Sequence, residues 1–472
     1  LLALAAEGAC GGSSPPAQLD LAALQDPEAC QTCHPAAYQE WSGSMHAYAS
    51  DDPVFRAMNQ RAQRETNNTL GTFCVKCHAP MAVQAGLTEN GLDLDTLPMK
   101  MKGVTCYFCH AAESVQGTHN NPLALAKDLS LYGPIADPIQ GMPHKGIYSR
   151  LLDGATLESA SMCGSCHDIQ NLQGAHVERT FEEWQGTLFS ALPNGQGCAD
   201  CHMKSSNGPA STVAPKQRRI HAHDFPAVDL AVTDFPGKAS QQAQAQALLD
   251  GVIQPTLCYN TLTQKIELTL ENVTAGHGFP SGATPDRRAW VELTAMSGET
   301  VLFSTGTASA MPLENSADPD LWLMRDCLFD AGGQEKKMFW EAVTASGNGL
   351  PGSVMPNVAD PTSFNRSHPK KLYPDGRTLP MPDRMTLKVH LQAIGDDVLQ
   401  DLVDSGDLDA SIPPLIARYV LGGAASIDWT LDTAVVKMDP VSTAALLCVV
   451  KPITYRADRD TAPAVSHAHC MP

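Results

Sequence analysis

The sequence predicts two unlike regions, one of short helices and irregular loops and one that is antiparallel and β-sandwich-like. Three observations predict this. The pattern Cys-x-x-Cys-His occurs five times between residues 30 and 202. From about residue 226 the apolar residues switch to period two, as strands with one buried face require. Between them, Ser205-Ser206-Asn207-Gly208-Pro209 opens a stretch, 203–219, with the composition of a linker. The expected plan is residues 1–29 as signal remnant and tether and 30–225 as the motif-bearing domain. Residues 226–472 follow as the β domain, with a helical insertion near 395–423.

The motifs are Cys30-Gln-Thr-Cys33-His34, Cys74-Val-Lys-Cys77-His78, Cys106-Tyr-Phe-Cys109-His110, Cys163-Gly-Ser-Cys166-His167 and Cys198-Ala-Asp-Cys201-His202. Cysteines three apart share one face of a helical turn, where both can form thioethers with the vinyl groups of one porphyrin. The histidine then falls beneath the iron as its proximal ligand. A single copy would also suit a redox dithiol or half a zinc site. Five complete copies point to five haem c groups, and the fold class becomes an α + irregular multihaem cytochrome domain followed by an antiparallel β-sandwich-like domain. About 173 residues then serve five haems, so the macrocycles must pack against one another. The low aromatic content, 6%, suits a core partly filled by porphyrin.

Helices are expected beside the motifs, at Pro35–Trp41 and Thr180–Trp184. In the β domain, Ile266, Leu268 and Leu270 alternate with polar residues. So do Ala289, Val291, Leu293 and Ala295; Met385, Leu387, Val389 and Leu391; and Ile427, Trp429 and Leu431. Ser297-Gly298 and Gly332-Gly333 stand between apolar runs as hairpin turns. Residues 350–382 hold seven prolines and read as a long loop. Val398, Leu399, Leu402 and Val403 have helical spacing.

Eleven of the sixteen histidines lie outside the motifs, and a sixth ligand would make each iron a pure electron carrier. His46, in Trp41-Ser-Gly-Ser-Met45-His46, is the strongest candidate. His119, His144, His176, His221 and His223 also lie near motifs. His277 sits in a glycine-rich turn, Gly276-His277-Gly278-Phe279-Pro280-Ser281-Gly282, where backbone can approach something bulky. His368, His390, His467 and His469 read as ordinary surface or hydrogen-bonded residues. Met45, Met81, Met142 and Met203 are rival ligands.

The formal charge is −19, and five oxidised haems with ionised propionates would bring it to roughly −24. Such a surface argues against nucleic acid and anionic lipid and favours basic redox partners. No apolar stretch is long enough to span a bilayer. Leu1–Ala6 resembles the end of a signal peptide, and Cys10 is a candidate lipid anchor, although Glu7 occupies a position where a lipobox is apolar. Haem c attachment happens outside the cytoplasm, so a periplasmic or cell-surface protein is expected and disulfides are permitted. Cys10, Cys258, Cys327, Cys448 and Cys470 remain after the motifs, with Cys258–Cys448 a plausible pair.

These residues resemble the bacterial multihaem c-type cytochromes related to the tetrahaem electron acceptor of ammonia oxidisers. The resemblance rests on Tyr38…Trp41…Ser44-Met45-His46, Gly103-Val-Thr-Cys106-Tyr-Phe-Cys109-His110, Tyr132-Gly-Pro134, Cys163-Gly-Ser-Cys166-His167-Asp168 and Cys198-Ala-Asp-Cys201-His202-Met203, and on the turn at 276–282. It extends over about residues 28–300 and implies mainly bis-histidine haems in closely stacked pairs. The fifth motif and the long β domain depart from the tetrahaem members.

Electron carriage is therefore expected, by a single molecule, a subunit of a complex or a homo-oligomeric conductive filament. The alternative is a multihaem oxidoreductase acting on a small nitrogen compound at a five-coordinate haem. The Cys-x-x-Cys-Lys variant that often marks such a haem is not among the motifs, so a carrier is expected rather than an enzyme.

Overall fold

The computed structural model describes residues 18–139, 143–191, 195–307, 317–352, 369–439 and 444–450. Cys10, Met142, His368, His467, His469 and Cys470 lie outside them. Two compact units are present, and they are not consecutive blocks of chain. One comprises Leu1–Ile169, Gly195–Gln244 and Leu402–Leu415; the other comprises Gln170–Asn194, Ala245–Asp401 and Ile416–Pro472. Among the described residues no helix is long and apolar enough to cross a membrane.

The first unit is built of short helices whose starts are written in the sequence. Proline stands at the first turn of Pro27–Gln31, Pro35–Ser42, Pro53–Glu65 and Pro80–Gln84, where its missing N–H costs nothing. Asp26 and Asp52 accept the N–H groups of Glu28 and Val54 and cap two of them. The helix Pro53–Glu65 buries Val54, Phe55, Met58 and Ala62, the i, i+4 stripe of an amphipathic helix. Its core partners include Val75, Met81, Tyr107, Phe108 and Leu123. Three of these are motif residues, so the second and third attachment loops are anchored by residues between their cysteines. Leu24 also packs in this core, within a helix, Leu21–Leu24. The described part of the expected tether is thus folded against the unit.

Residues 203–219 are not a linker. Ser205–Ser211 and Ala214–His221 pair as an antiparallel hairpin. Its tip docks on the first motif, where the Thr212 N–H donates to the Cys33 carbonyl at 2.8 Å. Its basic residues meet acids, Lys216 and Arg218 on Asp137 and Arg219 on Asp200. A helix that the period-two reading missed is Lys238–Leu249.

The second unit carries the large sheets. One has the order Lys370–Tyr373, Lys265–Asn272, Ile253–Asn260, Ala445–Val450, Val435–Met438. The other has the order Thr300–Thr305, Arg288–Ser297, Arg384–Gln392, Arg418–Val420, with Leu323–Met324 and Ile427–Thr430 paired onto its inner strands. These pairings are all antiparallel. The alternation reads as expected: Ala289, Val291, Leu293 and Ala295 are fully buried, and so are Met385, Leu387, Val389 and Leu391. Leu431 departs from it, since it lies one residue beyond the strand Ile427–Thr430 and is exposed. Gly298 and Gly333 take positive φ in the two hairpin turns. The helix Asp396–Asp404 is fixed by a buried ion pair, in which Arg288 donates to both oxygens of Asp397 at 2.8 and 2.9 Å. Cys258 and Cys448 face each other on paired strands and are bonded as a disulfide.

Candidate haem sites

Each motif occupies a single helical turn or its edge. Val75–His78, Cys106–His110 and Cys198–His202 are short helices. In the first motif Pro35 starts a new helix directly after His34, which leaves that imidazole at the break between two helices. Burial raises the Cys74 and Cys109 thiols to about 12. They are neutral and set in apolar surroundings.

Four of the five motif histidines share one feature. Nδ1 of His34, His78, His110 and His202 meets a backbone carbonyl, of Ala210, Ala49, Tyr132 and Pro226 respectively, at 2.7–3.0 Å. A carbonyl only accepts, so Nδ1 carries the proton and Nε2 is left as the basic nitrogen. This is how metal-binding histidines are oriented. None of the four carbonyls could be found from sequence, because every residue type supplies one.

Three motif histidines also face a second imidazole. The ring centroids of His34 and His144, of His110 and His223, and of His46 and His167 are each 6.3 Å apart. An imidazole ligand puts its nitrogen about 2.0 Å from a metal and its ring centre about 1.1 Å further, so two on opposite faces of one iron stand about 6.2 Å apart. The residues therefore fit a haem with an imidazole on each face, at three places. Burial, then the nearby His167, His78, His202 and His223 imidazoles, pushes His46 down to about 3. Burial likewise brings His110 to about 4. Both are neutral imidazoles, the form that ligates.

The pairing does not follow chain order. His46 comes soon after the first motif yet faces the fourth. The chain reaches this through close backbone contact. The Val104 N–H donates to the His46 carbonyl at 2.8 Å. Gly103, at φ +63°, lies so near that a Cβ there would stand 2.5 Å from the Ala47 carbonyl oxygen. The distal candidate His223 is held by Glu40, which accepts its backbone N–H at 2.9 Å and lies 3.8 Å from its Nδ1. Neither Glu40 nor these backbone contacts were legible beforehand.

The other candidates are placed as follows. The Nδ1 of His221 meets the Met203 carbonyl at 2.8 Å, and its ring lies against Gly154 and Ala199. His119 meets the Thr118 hydroxyl. His176 belongs to the second unit, where its Nδ1 lies 2.9 Å from Glu182. His277 is in the second unit too. Its turn is clamped by Glu183, which accepts from the Gly278 N–H and the Ser281 hydroxyl, while Nδ1 meets the Gly278 carbonyl at 2.8 Å. His390 stacks on Trp290 and pairs with Glu292. Met81 is a core residue. Among the described residues no group of three or more His, Cys, Asp or Glu is gathered for a bare metal ion.

Contacts between motifs give their spatial order. Cys30 lies beside Cys106 and raises the Cys106 thiol. Cys109 feels Cys166, and Cys198 lies beside Cys163, which raises its thiol. The first motif thus adjoins the third, the third the fourth and the fourth the fifth. The second adjoins the fourth through Asn121, whose side chain donates to the Lys76 carbonyl while its N–H donates to Ser165.

Two comparisons with known proteins found similarity. Residues 29–111, which hold the first three motifs, match the family model described as Cytochrome c554 and c-prime. The crystal structure of a penta-heme cytochrome c552 from Thermochromatium tepidum shares the fold, with a TM-score of 0.59 at 19% identity, over 86% of this chain and 99% of that one. No curated protein sequence matches the chain.

Proposed function

We propose that the chain is a pentahaem c-type cytochrome that conducts electrons through closely packed, mainly bis-histidine haems. The observation that carries this reading is the threefold recurrence of imidazole pairs 6.3 Å apart. Cys30 and Cys33, Cys74 and Cys77, Cys106 and Cys109, Cys163 and Cys166, and Cys198 and Cys201 would hold the macrocycles. His34, His78, His110, His167 and His202 would be proximal ligands. His144, His223 and His46 would be the distal partners of His34, His110 and His167. His221, whose Nδ1 is engaged by a carbonyl as in the motifs, is the first candidate for the remaining sites; His119, His176 and His277 stay as candidates from their place in the sequence.

Bound haem supplies a reversible one-electron couple. The chain's part is to hold two imidazoles per iron in fixed orientation, so that little reorganises between redox states. It also sets the attachment points edge to edge, in the order first, third, fourth, fifth, with the second beside the fourth. The site is periplasmic or at the cell surface on this reading, a compartment in which the Cys258–Cys448 disulfide persists. Redox partners present basic surfaces to the acidic chain, Cys10 would be an anchor, and the protein works as a single molecule, as a subunit of a complex or in a filament. The two large sheets of the second unit pack as a sandwich.

Intact-mass measurement should find five haem additions. EPR of the oxidised protein should show low-spin signals unmoved by cyanide or nitrite. A stoichiometric high-spin haem that binds and turns over nitrite or hydroxylamine would replace this reading with an enzyme.

A further inference from the structure

We infer that Phe225 is a positioning residue shared by two neighbouring haem sites, its ring fixing the rotation of both the His46 and the His223 imidazole. The inference rests on reading those two histidines as distal ligands.

The Phe225 ring stands edge-on to His46, with centroids 4.4 Å apart and planes 78° apart. It also stands edge-on to His223, at 5.9 Å and 89°. Edge-to-face contacts of this kind are favourable between aromatic rings. The backbone adopts an unfavourable conformation to make them. Phe225 has φ +46°, a left-handed setting rare for a residue with a Cβ, and it precedes Pro226, which ordinarily steers its neighbour to extended backbone. Such a setting persists only where the surroundings over-determine it, and it marks places where function uses it.

The surroundings do so here from both sides. The Pro226 carbonyl accepts from Nδ1 of the motif histidine His202 at 2.8 Å. The His223 N–H is tied to Glu40. Further along, Tyr48 and Thr233 are hydrogen-bonded at 2.7 Å. The stretch 223–226 therefore serves three motifs at once: His223 faces the third, Phe225 supports the ligand opposite the fourth, and Pro226 orients the histidine of the fifth.

A ligand bound through Nε2 keeps one freedom, rotation about the metal–nitrogen axis. An aromatic edge pressed against the ring removes it. That rotation has a spectroscopic signature. In low-spin ferric haem, near-parallel imidazole planes give rhombic EPR signals, and planes turned towards perpendicular give highly anisotropic ones. The His46 and His167 planes are 65° apart, whereas the His110–His223 and His34–His144 planes are 33° and 35° apart. Phe225 touches members of the first two pairs and not of the third.

The test compares Phe225→Leu and Phe225→Tyr with the native holoprotein by EPR and by spectroelectrochemical titration. With Leu, the highly anisotropic low-spin signal should be lost to a different low-spin signal and one rhombic signal should shift. The signal removed by His144→Gly should stay, and two reduction potentials should move while three hold. Tyr keeps the ring edge and should restore the native spectrum. An unchanged spectrum in the Leu variant, a uniform change at all sites, or a Leu variant that no longer carries five haems would each overturn the inference. His46→Gly and His223→Gly test the underlying reading separately. Each should turn one low-spin haem high-spin, and if neither does, the ligand assignment fails whatever Phe225→Leu shows.

Discussion

The two units solve the same problem with different materials. In the second, side chains fill the interior, and the pattern that fills it is periodic: Met385, Leu387, Val389 and Leu391 point one way along a single strand. In the first, the apolar cluster is a set of short-range pieces, with Val75, Tyr107 and Phe108 drawn from inside the attachment motifs. Its critical hydrogen bonds run from imidazole Nδ1 atoms to carbonyls distant in sequence, such as Ala210 for His34 and Pro226 for His202. A core of side chains is self-sufficient and repeats. A core organised around macrocycles is local and motif-like, and its specificity resides in backbone.

The largest expected effect follows directly. If the chain is produced without haem and its disulfide is allowed to form, the first unit should lose its order and the second should keep it. Hydrogen exchange should show the strands Arg288–Ser297 and Arg384–Gln392 protected within about tenfold of the holoprotein, and the helices Cys106–His110 and Ala160–Gly164 losing protection by about a thousandfold or more. Equal loss in both units, or none in either, would break the distinction between them.

A second test weakens the unit that stands on side chains. Arg288 is 2% exposed and Asp397 7% exposed, and their bidentate pair fastens the helix Asp396–Asp404 to the sheet strand Arg288–Ser297. Asp397→Ala leaves a buried guanidinium without its partner, a loss of about 3–5 kcal/mol. Denaturant unfolding followed by far-ultraviolet circular dichroism should register it while the haem absorption bands stay unchanged at low denaturant. A loss below about 1 kcal/mol would mean that the pair is solvated enough to be dispensable.

The same contrast explains what could be read in advance. The alternating strands, the glycine turns at Gly298 and Gly333 and the helices beginning at Pro35 and Thr180 are visible because each is set by neighbours in sequence. The hairpin Ser205–His221 was read as linker because Ser, Asn, Gly and Pro dominate it. It forms because its tip has a docking place on the first motif, and that place is far away in the chain. The candidates His46, His144 and His223 could be named in advance, but not the motif histidines they face, since spatial order runs first, third, fourth, fifth. Glu40, Phe225 and the accepting carbonyls had no signal of their own. Their roles exist only once the loops are brought together.

The smallest expected effect sharpens the comparison at a point where the first unit behaves like an ordinary globular protein. Asp52 caps the helix Pro53–Glu65 by accepting the Val54 N–H at 2.9 Å, and that helix lays Phe55 flat against His78 with centroids 3.8 Å apart. Burial, reinforced by the nearby Asp229 carboxylate and opposed by the capping bond, raises Asp52 to about 6 from an ordinary 3.8. A carboxyl whose folded value is raised favours folding in its protonated form. Its contribution is therefore fully present below the ordinary carboxylate range and is lost as pH rises through about 6, above which the fold carries a buried charge. Asp52→Asn keeps an oxygen to accept the Val54 N–H and removes the charge, and asparagine is as good a cap as aspartate. The variant should match the native protein near pH 4 and exceed it by about 1–3 kcal/mol above pH 7. Stability measured at several pH values, as the difference between the two proteins, isolates this group from every other that titrates. A difference that is flat with pH would show that the Asp52 carboxylate is solvated in the fold, and that the cap, and not the burial, sets its properties.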